Sequence, residues 1–428
     1  MIHHARRLLA VLAALWLCAI DTGWPLVSSA SAQTNELSKR ESRGDDDRSE
    51  RAASGAAAGG ITVGGITISP TVDIAGGYDS NLDASSDAQG SWFTRTAAEI
   101  DIAREHATGS ASFFIAGTGY KYDDLDIGPR RFELESRLQV TENLNEAEEL
   151  RFTAGHVRDA LGIDRADIFE GEARYKYTTP ALQAWARGRS YTQVELGSAS
   201  GADEDIEDGD IFDLGRDEPP SYSKSSFQAA VIPRPRDPFT VFAIGGYARV
   251  AFFDQGEAPA LDRRADDLFA IAGVRLNVSE RLRIEPGWRV NHRAFADRDV
   301  VSDTTDGPDL RVQWVPVDGV EIVGKVQRIF EETTSVFAIV DDVTIYSVGL
   351  EWDVTTRLSL RADAIYEREK PVADSVLYDE YELELGLVYK PGDKVEWFAE
   401  GLAKYVEERT TSDAYERFRG LAGVRLVY

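Results

Sequence analysis

The stretch Tyr381-Glu382-Leu383-Glu384-Leu385-Gly386-Leu387-Val388-Tyr389 carries an apolar or aromatic side chain at every second position. Glu382, Glu384, Gly386 and Val388 fill the places between them. Successive side chains of an extended chain point to opposite faces, so this pattern predicts a strand with one apolar and one polar side. The alternation recurs. Leu282, Ile284, Pro286, Trp288 and Val290 alternate with Arg283, Glu285, Gly287 and Arg289. Leu358, Leu360, Ala362, Ala364 and Tyr366 alternate with Ser359, Arg361, Asp363 and Ile365. Helical periodicity is nowhere sustained. Two segments, Ala111 to Tyr122 and Leu182 to Leu196, blur the pattern.

These strands fall into hairpins. Ser279-Glu280, Asp318-Gly319, Thr355-Thr356 and Pro391-Gly392-Asp393 each precede a strand that opens on two alternating apolar residues, and they recur roughly every 40 residues. The opposite strand ends carry longer, Asp-rich segments: Asp79 to Ser91, Gly197 to Pro220, Gln255 to Asp266, Arg298 to Gly307 and Lys370 to Val376. Short turns at one end and long loops at the other are the asymmetry of an outer-membrane barrel. The expected fold is therefore all-β, a transmembrane antiparallel up-and-down β-barrel. Counting hairpins gives about 18 strands, with 16 as the alternative, since single-chain barrels of this kind have even counts.

A water-soluble β-sandwich would show the same alternation. The aromatic residues argue against it. Tyr177, Trp314, Trp352, Tyr389, Trp397 and Tyr428 lie near the short turns, and Tyr78, Trp92, Tyr346, Tyr366, Tyr381 and Tyr405 lie near the long loops. Two such belts fit the two headgroup levels of a bilayer.

The N-terminus predicts export. Arg6 and Arg7 precede the apolar run Leu8 to Ile20, and Ala30-Ser31-Ala32 offers small residues for cleavage. This is the arrangement of a secretory signal over residues 1–32, with the mature chain starting at Gln33. The apolar run is shorter than a membrane-spanning helix requires. Residues 33–64 read as a disordered linker, charged from Lys39 to Arg51 and rich in Ala and Gly from Ala52 to Gly60. Residues 65–428 read as one barrel domain.

Composition excludes several classes of function. The sole Cys, Cys18, lies within the signal, so the mature chain has no disulfide, thiolate metal site or Cys nucleophile. The net charge of −27 argues against a nucleic-acid partner, which needs basic surface. The expected surroundings are outer-membrane lipid and lipopolysaccharide. At the C-terminus, Phe418, Ala422, Val424, Leu426 and Tyr428 share one face of a last strand that stops on an aromatic residue. The set Phe418, Val424, Leu426 and Tyr428 resembles the terminal-strand signal read by the barrel assembly machinery.

The polar faces supply the candidate functional residues. Arg275, Arg283, Arg289, Arg293 and Arg311 come from three neighbouring strands, and Glu351, Asp353, Glu382, Glu384, Glu396 and Glu400 from strands further along. All are expected to line a water-filled lumen, where a basic arc facing an acidic one would set up a transverse field. The acidic run from Asp203 to Glu218 has oxygen ligands suited to Ca²⁺, but its order around Gly209 does not match an EF-hand loop. It reads as a solvated loop, and no metal or cofactor is expected. His106, His156 and His292 are the histidines of the mature chain, and none lies in a recognisable nucleophile motif. Catalysis is not expected. An adhesin would need far longer external loops.

After the first strand comes Gly77-Tyr78-Asp79-Ser80-Asn81-Leu82. With the signal, the acidic hairpins and the terminal strand, this element resembles the β-barrel porin type 2 family of proteobacterial outer-membrane proteins, over roughly Gly65 to Tyr428. The resemblance implies a pore and no catalytic residues. Some members belong to exopolysaccharide export loci, which adds polysaccharide-export components as an implied partner. The expected function is a porin-like channel for passive passage of small polar solutes or ions. Exopolysaccharide export and a plugged structural barrel are the alternatives.

Overall fold

In the computed structural model the described residues are 60–81, 90–123, 131–161, 164–196, 221–252, 264–297, 302–331, 340–371, 377–409 and 414–428. They form β1 (Ile61–Val63), β2 (Ile66–Asp79), β3 (Ser91–His106), β4 (Gly109–Tyr122), β5 (Arg131–Asn145), β6 (Glu148–Leu161), β7 (Asp164–Thr178), β8 (Leu182–Leu196), β9 (Tyr222–Pro233) and β10 (Phe239–Phe252). The second half holds β11 (Ala265–Ser279), β12 (Leu282–Phe295), β13 (Asp303–Trp314), β14 (Val320–Glu331), β15 (Asp341–Thr355), β16 (Leu358–Pro371), β17 (Tyr378–Gly392), β18 (Val395–Glu408) and β19 (Ala414–Val427). The signal, the linker up to residue 59 and the acidic run Asp203 to Glu218 lie outside the described residues.

Each strand from β2 to β19 pairs antiparallel with its sequence neighbours, and β19 returns to pair with β2. The result is a closed barrel of 18 strands, the expected count, and the two segments of blurred alternation are strands β4 and β8. Closure satisfies both edges of the sheet, which otherwise would present unpaired backbone groups. The seam runs from Arg419 opposite Asp79 to Val427 opposite Thr71. The short strand β1 folds back on β2, with Ile61 opposite Ile68. This corrects the expected domain boundary: residues 61–63, assigned to the linker, belong to a hairpin. Gly64 and Gly65 make its turn at φ of 60° and 79°, a left-handed conformation that a two-residue hairpin turn demands and glycine adopts freely.

The recurring short turns have a common construction. A small polar side chain at the end of one strand accepts a hydrogen bond from a backbone N–H of the turn. Ser279 Oγ takes Arg281 N at 3.2 Å, Asn145 Oδ1 takes Ala147 N at 2.9 Å, and Thr355 Oγ1 takes Leu358 N at 3.0 Å. Register shifts at Asn277/Ser279, Asp353/Thr355, Tyr389/Gly392 and Asn143/Asn145 place an irregularity at the same end of the barrel. Bulges of this kind tighten local twist at a barrel rim.

The two faces segregate as the alternation predicts. On β17, Tyr381, Leu383, Leu385, Leu387 and Tyr389 are exposed on the outer wall, while Glu382 is buried and Glu384 half-buried inside. Near the long-loop end, Tyr346, Tyr366, Tyr381 and Tyr405 sit directly opposite one another across four consecutive strands. Their ring centroids are 5.7, 4.9 and 6.1 Å apart in turn. Trp352, Tyr389, Trp397 and Tyr428 are exposed at the other end of the same wall. Inside, Ala75, Phe93, Tyr122, Phe398 and Leu421 pack into a cluster across the seam.

Candidate lumen site

Register and burial together decide which side chains face the lumen. On β12 the inward positions are Arg283, Glu285, Gly287, Arg289, Asn291 and Arg293, opposite in sense to the exposed Trp288 and Val290. The same parity puts Arg275 and Arg311 inside, and on β15, β17 and β18 it puts Glu351, Asp353, Glu382, Glu384, Glu396 and Glu400 inside. Phe418, Val424, Leu426 and Tyr428 are all exposed on the outer face of β19 and its end.

The basic arc is matched where it stands rather than across the lumen. Arg275 Nε donates to Glu285 at 2.5 Å, Arg289 Nε to Asp309 at 2.9 Å, and Arg293 holds Asp267 through two 2.5 Å bonds. Arg283 Nε reaches Asn277 Oδ1 at 3.4 Å, and Arg311 lies opposite both Glu285 and Lys325. These are cross-strand pairs within the wall, so they set up local dipoles rather than one basic surface. The acidic positions are also partly matched. Lys390 reaches Glu396 at 2.9 Å, Arg425 reaches Glu396 at 3.6 Å, and Arg95 reaches Glu400 at 3.3 Å. Glu351 faces Arg361, and Glu382 faces Lys404, as direct cross-strand partners. Near the long-loop rim Glu367, Glu369 and Glu380 bring carboxylates within 4.8 Å of one another beside Lys404, which is 3.1 Å from Glu380.

A different basic group dominates the interior on the other side. A cavity of about 470 Å³ opens onto the inner faces of β5 to β14. Its wall carries nine basic and six acidic side chains, an excess of positive charge within a chain whose net charge is −27. Much of that excess comes from Arg137, Arg151, Arg174, Arg187 and Arg189, none of which sequence reasoning singled out. Arg151, Arg174 and Arg187 form a single row: Arg151 is the direct partner of Arg174 across β6 and β7, and Arg174 that of Arg187 across β7 and β8. Trp185, on β8, also points inward, and the Arg174 guanidinium lies 6.0 Å from its ring centre. Glu172 stands 3.7 Å from Arg187, Glu149 3.7 Å from Arg151 and Glu170 3.6 Å from Arg189, all longer than a direct hydrogen bond. Arg187 Nη2 donates to Gln228 Oε1 at 3.1 Å.

The described histidines are engaged elsewhere. His106 shares a 2.7 Å hydrogen bond with Glu142 near a short turn. His156 contacts Asp167 at 2.9 Å and stacks on Phe169, and His292 contacts Thr304 at 2.9 Å on the outer wall.

No protein-family model and no curated protein matches this chain. Among solved structures it is similar to the copper transporter OprC, at 13% identity and a TM-score of 0.40, covering 83% of this chain and 63% of that one. It is also similar to the ferric enterobactin receptor PfeA from Pseudomonas aeruginosa, at 9% identity and a TM-score of 0.43, covering 84% of this chain and 80% of that one. The ferric citrate transporter FecA, unliganded, matches at 10% identity and a TM-score of 0.41, over 80% of this chain and 60% of that one. The chain thus spans less than two thirds of the length of two of these proteins.

Proposed function

We propose that this protein is an outer-membrane channel for the passive passage of small polar solutes or ions. The observation that carries the reading is the sidedness of the closed 18-strand wall. Large apolar and aromatic side chains are exposed on its outer surface, and charged side chains from β5 to β18 face inward. In water that outer surface would be a large exposed apolar area, whereas in a bilayer it is solvated by lipid. A barrel of this strand number is wide enough to enclose a water-filled lumen. The signal at residues 1–32 supports export, and Phe418, Val424, Leu426 and Tyr428 support delivery by the barrel assembly machinery. The element Tyr78-Asp79-Ser80-Asn81 supports kinship with the β-barrel porin type 2 family. No catalytic role is assigned.

Purified protein reconstituted in a planar bilayer tests this. Stable, stepwise ion conductance is expected. A complete lack of conductance at every salt concentration and voltage would overturn the channel reading in favour of a plugged or structural barrel. Recovery of the protein from the soluble periplasm would overturn the membrane assignment itself.

A further inference from the structure

We propose that the outer wall of β14 to β19 holds one molecule of lipopolysaccharide at the long-loop end, with a phosphate of its lipid anchor between Arg368 and Arg409 and an acyl chain in the groove beneath them. The site rests on the outer-membrane placement given above but not on an open lumen. Arg368 has the outward parity of Tyr366, and its direct partner across β16 and β17 is Asp379, which has that of Tyr381. Although it lies on the outward face, Asp379 is fully buried. Three donors enclose it: the Tyr366 hydroxyl at 2.7 Å, Arg368 Nε at 3.2 Å and Arg409 Nε. Arg368 also lies over the Tyr366 ring, 5.9 Å from its centre. The side chains of Arg368 and Arg409 stay about half exposed, at 47% and 46%. One carboxylate thus fixes two arginines side by side on the outer wall, one step above the row Tyr346, Tyr366, Tyr381 and Tyr405, and leaves the pair with a positive charge.

Directly below that tyrosine row the wall is hollowed. Gly324, Val348, Ala364, Leu383, Ala403 and Phe418 are each the direct partner of the next, from β14 to β19. Small and large side chains alternate along this line, which forms part of an apolar groove of about 660 Å³. A Cβ at Gly324 would meet nothing closer than 3.8 Å, so close packing does not demand the small residue there.

Height and chemistry together select the ligand. The tyrosine row marks the headgroup level, where charge on the lipid-facing side of a barrel is tolerated, and the wall below it meets hydrocarbon. A guanidinium carries five donors, of which the contact to Asp379 uses the Nε of each arginine, and its planar fork matches phosphate oxygens two at a time. Basic groups at this level bind anionic lipid headgroups. The long loops face the cell exterior, so the ligand is the phosphorylated, multiply acylated lipid of the outer leaflet. Glu407, the direct partner of Asp379 on β18, and Glu416 share this face, so the attraction is local to the arginine pair.

Titration of the detergent-purified barrel with purified diphosphorylated lipid A, followed by native mass spectrometry, tests the site whether or not the lumen conducts. One saturable equivalent is expected. Lipid A stripped of its phosphates, and phosphatidylglycerol, should each bind at least tenfold more weakly. Arg368→Gln and Arg409→Gln should each weaken lipid A binding at least fivefold, and each leaves Asp379 with the other arginine and Tyr366. The phosphate-free lipid should bind these variants as it binds the parent, which a merely structural role of the pair would not produce. Ala403→Phe, which fills the groove without touching a charge, should weaken binding at least fivefold, and Glu407→Gln should tighten it. Arg281→Gln, at an exposed short turn, should stay within twofold. No saturable binding to the parent would overturn the site, as would equal affinity for the phosphate-free lipid or for phosphatidylglycerol, or equal loss in Arg281→Gln. If the arginine variants fail to assemble, the phosphate-free lipid and Ala403→Phe decide in the same way. Saturable binding without conductance would support this site and remove the channel reading alone. Conductance without binding would leave the channel reading intact and remove this site alone.

Discussion

The carboxylate of Asp79 is buried against the guanidinium of Arg417, a residue 338 positions further along the chain, with Nη2 to Oδ2 at 2.8 Å and Nε to Oδ1 at 3.1 Å. The contact crosses the seam where the first and last strands of the barrel meet. Around it, Ser80 N donates to Phe418 O at 2.8 Å, Phe418 N donates to Ser80 Oγ at 2.7 Å, and Asn81 Nδ2 donates to Glu416 O at 3.1 Å. The Asp79-Ser80-Asn81 element is therefore a clip that fastens β2 to β19 at the long-loop end. Removing one partner leaves a buried charge uncompensated, at a cost of about 3–5 kcal/mol. Asp79→Ala and Arg417→Ala are each expected to lower urea resistance by this order. The double replacement Asp79→Ala with Arg417→Ala should cost clearly less than the two single losses added together. Strict additivity in such a double-mutant cycle would show that the pair is not coupled.

The sidedness of β17 makes a second prediction. Leu385 is exposed on the outer wall at the middle of its strand, and Glu384 is its inward neighbour. Leu385→Arg puts a charge into lipid near the midplane, where the cost is about 2–4 kcal/mol, whereas Glu384→Arg meets the lumen. The first variant should show a large loss of the heat-modifiable, assembled form on gels, and the second little. Equal defects would mean the register is wrong.

The row Tyr346, Tyr366, Tyr381 and Tyr405 predicts a graded response. Tyr381 has ring neighbours on both sides, at 4.9 Å and 6.1 Å, while Tyr405 ends the row as described. Each aromatic pair contributes about 0.5–1.5 kcal/mol beyond its buried area. Tyr381→Ala should therefore destabilise the barrel more than Tyr405→Ala in lipid-vesicle unfolding. The reverse order would remove the ring contacts as the cause.

Gly423 lies on β19, at the seam with β2 and opposite Phe398 of β18. A Cβ there would come within 2.4 Å of Ile74 O, 2.7 Å of Ala75 Cβ and 2.8 Å of Phe398 Cζ. The backbone oxygen cannot give way cheaply, so Gly423→Val should sharply reduce the yield of closed barrel. Wild-type thermal resistance of that variant on gels would be incompatible with this packing.

How much of this was legible in the sequence depended on side-chain size. On β12, β16 and β17 the outward residues are mostly large and apolar, and their neighbours mostly polar, so one strand's alternation suffices to orient it. On β8 the outward positions are Ala184, Ala186, Gly188, Ser190 and Thr192, while Trp185 and the buried Tyr191 face the cavity side. Size and polarity there point in opposite directions, and the orientation of Arg187 and Arg189 was lost with them. The arginine row had a usable signal in the short turns, because turn position fixes register and register pairs Arg151 with Arg174 and Arg174 with Arg187. The arc from Arg275 to Arg311 was placed on the inner wall, but its neutralisation was not legible, since Asp267 and Asp309 become partners only once the strands are aligned. The seam clip is of the same kind. Asp79 and Arg417 belong to opposite ends of the chain, and nothing local to either announces the other.

Closure at β2 and β19 also imposes an order in time. The other wall pairings join strands adjacent in sequence, so each closes only a short connection. The seam alone joins strands from opposite ends of the chain. Until residues 414–427 arrive, β2 keeps one row of backbone donors and acceptors open, and the growing sheet is a curl with two live edges. Asp79, Ser80 and Asn81 are made among the first residues of the wall and find their partners among the last. The final fifteen residues thus act as the latch of the whole vessel, and a chain truncated before them would leave an open sheet, however complete the rest.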